Sequence, residues 1–150
     1  MIEKKSVHKL AVLCIAFYFI VDALQKLMRN NDEVWMLKHK THQIQTALSA
    51  NSLLLFDFYQ LFETFGSVLL ICIAAIELVS GMLFVVYESE QRLFYAYLLV
   101  GCLCFDSLAM HFPFTETQRN FGHHNSHFSA NLLIAASTLM AAGFENEDDD

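Results

Sequence analysis

The sequence predicts an all-α, polytopic membrane protein: a four-transmembrane-helix bundle with an interfacial helical segment between helices 1 and 2. Three observations carry this. The chain is 55% hydrophobic and 17% charged, with a mean hydropathy of +0.39, where soluble domains sit at about 45–50% and about 25%. Its apolar residues gather in four runs, at about 10–28, 65–87, 93–110 and 128–144, each close to the roughly 20 residues that cross a bilayer. The second run carries Glu77 as its only charge and has no polar face. A helix apolar all round belongs in lipid or in the centre of a large protein, and 150 residues do not build the latter.

The first run, Leu10 to Met28, follows Lys4, Lys5 and Lys9. That start resembles a signal peptide. No clean small-x-small cleavage site follows, and the run continues into Asp22 and Lys26, so it reads as a retained helix. The first 28 residues contain no Arg, so an Arg-rich presequence is not the expectation; polytopic mitochondrial inner-membrane proteins also use internal signals.

The connection from Arg29 to Thr64 is long. Asn30-Asn31-Asp32-Glu33 offers a helix N-cap, after which Val34, Leu37, Ile44 and Leu48 recur at helical spacing. A second cap, Asn51-Ser52, precedes LLLFDFYQLFETF. That segment is too polar to span, and reads as an interfacial helix or a lead-in to the second span. Trp35 and the Tyr and Phe residues suit an aromatic belt.

The remaining elements follow from connection length. Glu88 to Arg92 is a tight turn that makes the second and third runs an antiparallel hairpin, and His111 to His127 leads into the fourth run. Four spans place both termini on one side. Lys and Arg are balanced across the two sides, so the positive-inside rule selects neither orientation. Residues 1–144 read as one membrane domain and 145–150 as an acidic tail. Five of the chain's 16 acids lie in that tail, which therefore supplies most of the net charge of −7. Such a chain is no nucleic-acid binder. Cys14, Cys72, Cys102 and Cys104 lie in apolar runs and read as small hydrophobes.

Four spans also set depth. Asp22 and Lys26 fall in the far half of the first helix, Asp106 far along the third with His111 at its end, and Asn131 near the far start of the fourth. Glu77 falls just below this group. Charges at membrane depth cost about 2.5–3.5 kcal/mol on insertion scales and face the bundle interior in pairs. Asp22 and Lys26, four apart, are placed to pair. Glu77, Ser80 and Gly81 share a face on which Gly81 permits close helix approach. The cluster Asp22, Lys26, Glu77, Asp106, His111 and Asn131 reads either as a polar network that sets helix register or as a quinone, proton or ion site. His123 and His127 at i, i+4 are candidate metal ligands, but that spacing alone assigns no metal. No catalytic constellation is present in the sequence. No cofactor is assigned; a quinone or a lipid fits the polar cluster.

The run Glu77-Leu-Val-Ser-Gly81-Met-Leu resembles the E-x-x-x-G signature of the DoxX-like membrane proteins. Met110-His111-Phe112 resembles the family's third-helix end, and His124-Asn-Ser-His-Phe128-Ser-Ala-Asn131-Leu-Leu the opening of its fourth helix. Lys26 stands where the family often has Lys. Asp22-Ala-Leu-Gln replaces a frequent Gly before that Lys, and the long connection and acidic tail look like additions. The resemblance implies a four-helix membrane bundle. Its relatives look like quinone-linked oxidoreductase subunits, redox-stress factors, chaperones or trafficking receptors, and a fold does not set function. The expectation is a non-catalytic accessory subunit of a larger membrane complex, in the respiratory chain of the mitochondrial inner membrane. Residues 29–64 and the tail would meet neighbouring subunits. The alternatives are a quinone-linked oxidoreductase subunit and a trafficking or chaperone-type membrane protein.

Overall fold

The computed structural model describes residues 4–49, 58–87, 89–110 and 121–143; for 4, 47–49, 58–59, 89, 110 and 121–125 the backbone alone is described. The described chain is all-α, with five helices: α1 (Lys4–Met28), α2 (Asn30–Ser49), α3 (Phe58–Val86), α4 (Ser89–Met110) and α5 (Phe121–Gly143). α1 packs chiefly on α3, α3 on both α1 and α4, and α5 on α4, while α2 lies mainly against α3.

The buried residues explain the arrangement. Val12, Ala16, Phe19, Ala23 and Lys26 line α1; Leu70, Ala74, Glu77, Gly81 and Phe84 line α3; Arg92, Ala96, Leu99, Leu103 and Asp106 line α4; and Asn131, Ala135, Thr138 and Ala142 line α5. In each helix these positions alternate steps of three and four. That period produces left-handed, nearly parallel helix packing. About two thirds of the stripe positions are Ala, Gly or polar, as in bilayer helix contacts, where small residues let backbones approach. A Cβ on Gly81 would stand 3.3 Å from Ile20 Cγ1 and 3.5 Å from the Ala16 carbonyl oxygen, so α1 and α3 touch there nearly backbone to backbone.

The outer surface is apolar. Leu10, Leu13 and Phe17 of α1, Val68, Ile71, Val79 and Met82 of α3, Phe94 and Tyr97 of α4, and Leu132, Leu133 and Met140 of α5 are all exposed. A soluble monomer rarely exposes contiguous apolar patches beyond a few hundred Å²; lipid requires such a surface. Among the described residues, three helices are long and apolar enough to cross a membrane: Lys5–Met28, Gln60–Val86 and Glu90–Ala109. The fourth expected span falls on α5, which lies outside that set because Ser126, His127, Ser129 and Asn131 dilute its apolar run.

The start of the second span differs from the sequence reading. Residues 58–64 form the opening turns of α3; the polar-apolar segment there is a lead-in to the second span, with Asn51-Ser52 outside the described residues. At 29 residues, α3 is about 43 Å long at 1.5 Å per residue, well beyond the roughly 30 Å hydrocarbon core.

α2 begins after one turn residue, Arg29. The Arg29 carbonyl accepts from the N–H groups of Asp32 and Glu33. Asn30, expected as a cap, has its Oδ1 3.3 Å from the Ser67 hydroxyl, which donates to it. Leu37 is fully buried against Leu70, Phe62, Phe105 and Ala109. Asn30, Val34 and Leu37 cover about 10 Å of α2, yet all meet α3 close to Gly66 and Ser67. The side of α2 that carries Asn30, Val34 and Leu37 therefore packs on α3 in this region. Its outer side exposes Trp35, stacked on His39 with ring centroids 5.5 Å apart.

Candidate functional site

Lys26 is the centre of the buried charge. It occupies the last stripe position of α1, so its ammonium is directed between α3 and α4. Its Nζ donates to Asp22 Oδ2 at 2.7 Å, to Glu77 Oε1 at 2.6 Å and to Asp106 Oδ2. An ammonium has three N–H donors, and these contacts use all of them. The side chains of Glu77, Lys26 and Asp106 are 0, 8 and 10% exposed, whereas Asp22 is 28% exposed. One oxygen from each carboxylate lies within 4.8 Å of the others, and the Lys26 ammonium takes the place among them that a metal ion would need.

This geometry joins Asp22, Lys26, Glu77 and Asp106 in one layer. Glu77 lies level with Lys26 rather than just below it. The sequence reading centred the second span on 65–87, whereas α3 starts at Phe58, so its numerical middle meets the last turn of α1.

Asn131 takes a different partner. Its Nδ2 donates to Ser107 Oγ at 3.1 Å, a buried contact that joins α5 to α4 one residue beyond Asp106. His111 and the side chain of His123 lie outside the described residues. His127 is exposed on α5.

The sequence reading missed a second polar site at the opposite end of the bundle. Arg92 is buried at the start of α4. Its Nε donates to the Phe84 carbonyl at 3.0 Å, and Nη1 lies 3.4 Å from His8 Nε2. Phe84 supplies one of the last four carbonyls of α3, which have no partner within the helix, and Arg92 serves as its side-chain cap. The signal was present: Arg92 begins the stripe 92, 96, 99, 103.

Outside the spans, two groups on α2 are shifted. Burial, reinforced by the negative charge of Asp22, raises Glu33 above the ordinary carboxylate range. Burial lowers Lys40.

Two clefts mark the described surface. One, of about 370 Å³, lies on the outer face of α1 among Leu13, Phe17, Ile20 and Val85. The other, of about 140 Å³, lies between α4 and α5 and is lined by Leu103, Ser107, Phe128 and Asn131. No family model, no curated protein and no solved structure matches the chain.

Proposed function

We propose that the chain is a non-catalytic accessory subunit of a larger membrane assembly. The observation that carries this reading is that the one buried ammonium is saturated by carboxylates of its own chain. Lys26 spends all its donors on Asp22, Glu77 and Asp106, which ties α1, α3 and α4 together. Removing one partner of a buried ion pair costs about 3–5 kcal/mol, so such a knot holds helix register strongly. Helix α2, with Trp35 and Met36 exposed, offers a surface to neighbouring subunits. A quinone-linked role has less support. The two clefts of the described surface are lined almost wholly by apolar groups, and neither is lined by Lys26, Glu77 or Asp106.

The reading extends to a DoxX-like bundle in which α5 is a fourth crossing. In its favour, α5 is 23 residues long, or about 34 Å. It buries Ala135, Thr138 and Ala142 against its neighbours while exposing Leu132, Leu133 and Met140. As the assembly we put first the respiratory chain of the mitochondrial inner membrane, whose large complexes accommodate small subunits without active sites.

Native extraction in mild detergent tests the proposal. Co-migration with a much larger complex, containing respiratory-chain subunits, is the expected result. A discrete monomer or homodimer overturns the accessory role, and a large complex of other composition overturns the respiratory assignment. Protease-accessible tags on the two termini should report the same side of the membrane; opposite sides would leave three crossings.

A further inference from the structure

The charge count of the Lys26 cluster does not close. Three carboxylates face one ammonium, and once the three Lys26 donors are used, Glu77 Oε2 and Asp106 Oδ1 remain buried with no hydrogen-bond partner among the described residues. Both belong to side chains at least nine-tenths buried that already point into the cluster. A buried charged acceptor left unsatisfied costs more than the roughly 1–3 kcal/mol of a neutral one, and two carboxylates that share a site do not both ionise readily.

We propose that the cluster is a proton-binding site that holds one exchangeable proton, carried by Glu77 or Asp106 on an oxygen that Lys26 does not reach. A protonated carboxyl has an O–H donor, so one proton both removes a negative charge and supplies the missing donor. The uptake step is simple. A lone pair of the carboxylate oxygen forms an O–H bond to a proton released by water, and the group becomes a neutral carboxyl. Release reverses this, and no electron is transferred. A metal ion is disfavoured because hard cations require six or more oxygen ligands or bound waters, and here the central place is already taken by a positive charge.

The neighbouring groups shape the site from each packed helix. α1 contributes Tyr18, Asp22 and Lys26; α3 and α4 contribute Glu77, Cys102 and Asp106. From the turn before α2 and from α2 come Arg29, Asp32 and Glu33, and the charge of Glu33 acts on Asp106. α5 places Asn131 at the edge through Ser107, with His127 exposed beyond it. Asp22 is the most open carboxylate of the three, and Glu33 of α2, half-buried, is close enough to interact with it. These two mark the route by which the proton exchanges with water on the α2 side.

Infrared difference spectroscopy on the full chain in lipid nanodiscs tests this near neutral pH, whether or not the chain belongs to an assembly. The expected result is a protonated-carboxyl C=O band, equivalent to one group per chain, that shifts in D₂O and is lost in Glu77→Gln or in Asp106→Asn. If either variant fails to fold, selective ¹³C labelling of Asp or of Glu in the unaltered chain assigns the band instead. Absence of the band overturns the proposal, as does a band that ignores both substitutions and both labels. A band that does not shift in D₂O overturns the exchange. Loss of co-migration in native extraction would leave this result untouched, so the two proposals fail separately.

Discussion

The two polar ends of the bundle solve the same problem differently. At the α2 end, Lys26 meets three carboxylates from three helices. At the other end, Arg92 meets a backbone carbonyl and an imidazole, with its guanidinium 6.0 Å from the centre of the Phe84 ring. Between them the stripes are apolar and small. The first device joins distant helices through full charges. The second closes a short hairpin by capping the helix that precedes it. Charge pairing across helices is the stronger and the less forgiving device, because every member depends on the others for compensation.

The largest difference between the ends should appear on removing the cation. Lys26→Met leaves three carboxylates facing one another with no compensating charge. It should lower stability by about 3–5 kcal/mol in reversible unfolding from bicelles, with loss of folded protein at ordinary expression levels. An Lys26→Met chain as stable as the parent would mean that the ion cluster does not hold the bundle.

Arg92→Met keeps the apolar stem but loses the charged donor to Phe84. The expected cost is about 1.5–3 kcal/mol in the same unfolding measurement, concentrated in the hairpin. Faster amide exchange should appear in the last turn of α3 while the Lys26 end stays protected. Equal exchange at both ends would erase the distinction.

The smallest effect separates two helix contacts near the ion cluster. Gly81→Ala meets Ile20 at 3.3 Å, whereas a Cβ on Gly66 finds Val34 at 3.7 Å and Leu37 at 3.8 Å. Ala is also the better helix former, by roughly 1 kcal/mol. Gly66→Ala should therefore stabilise slightly. Gly81→Ala should gain nothing or lose about 1 kcal/mol, because the α1–α3 approach must widen. The sign difference between the variants, read from their unfolding midpoints, checks whether the small-residue contact sets the spacing of α1 and α3.

Much of this was legible from residue order. The Asp22–Lys26 pair is a matter of i, i+4 spacing, and alternating helix direction was enough to bring Asp106 toward the same end. The depth of Glu77 was not legible, because a span's limits in sequence do not reveal where a longer helix overhangs its neighbour. Arg92 was passed over because a basic residue in a tight turn is usually solvated. In the fold it lies against His8, 84 residues away in the chain. Asn131 shows the same limit: its polar side chain was expected in the charged cluster, yet Ser107, nearer on α4, takes it.

The sequence by itself determined an α-helical chain with a lipid-facing exterior, since composition and apolar run length decide which segments tolerate hydrocarbon. The three-four stripes along which the helices meet became visible only with burial, since a run apolar on all sides does not show which face is covered. Only the tertiary structure decided that one ammonium serves three carboxylates and leaves two buried oxygens unsatisfied. Hydrogen-bond saturation is a property of positions in space, and residue order specifies neither the level at which α1 meets α3 nor how many acceptors three N–H groups will face.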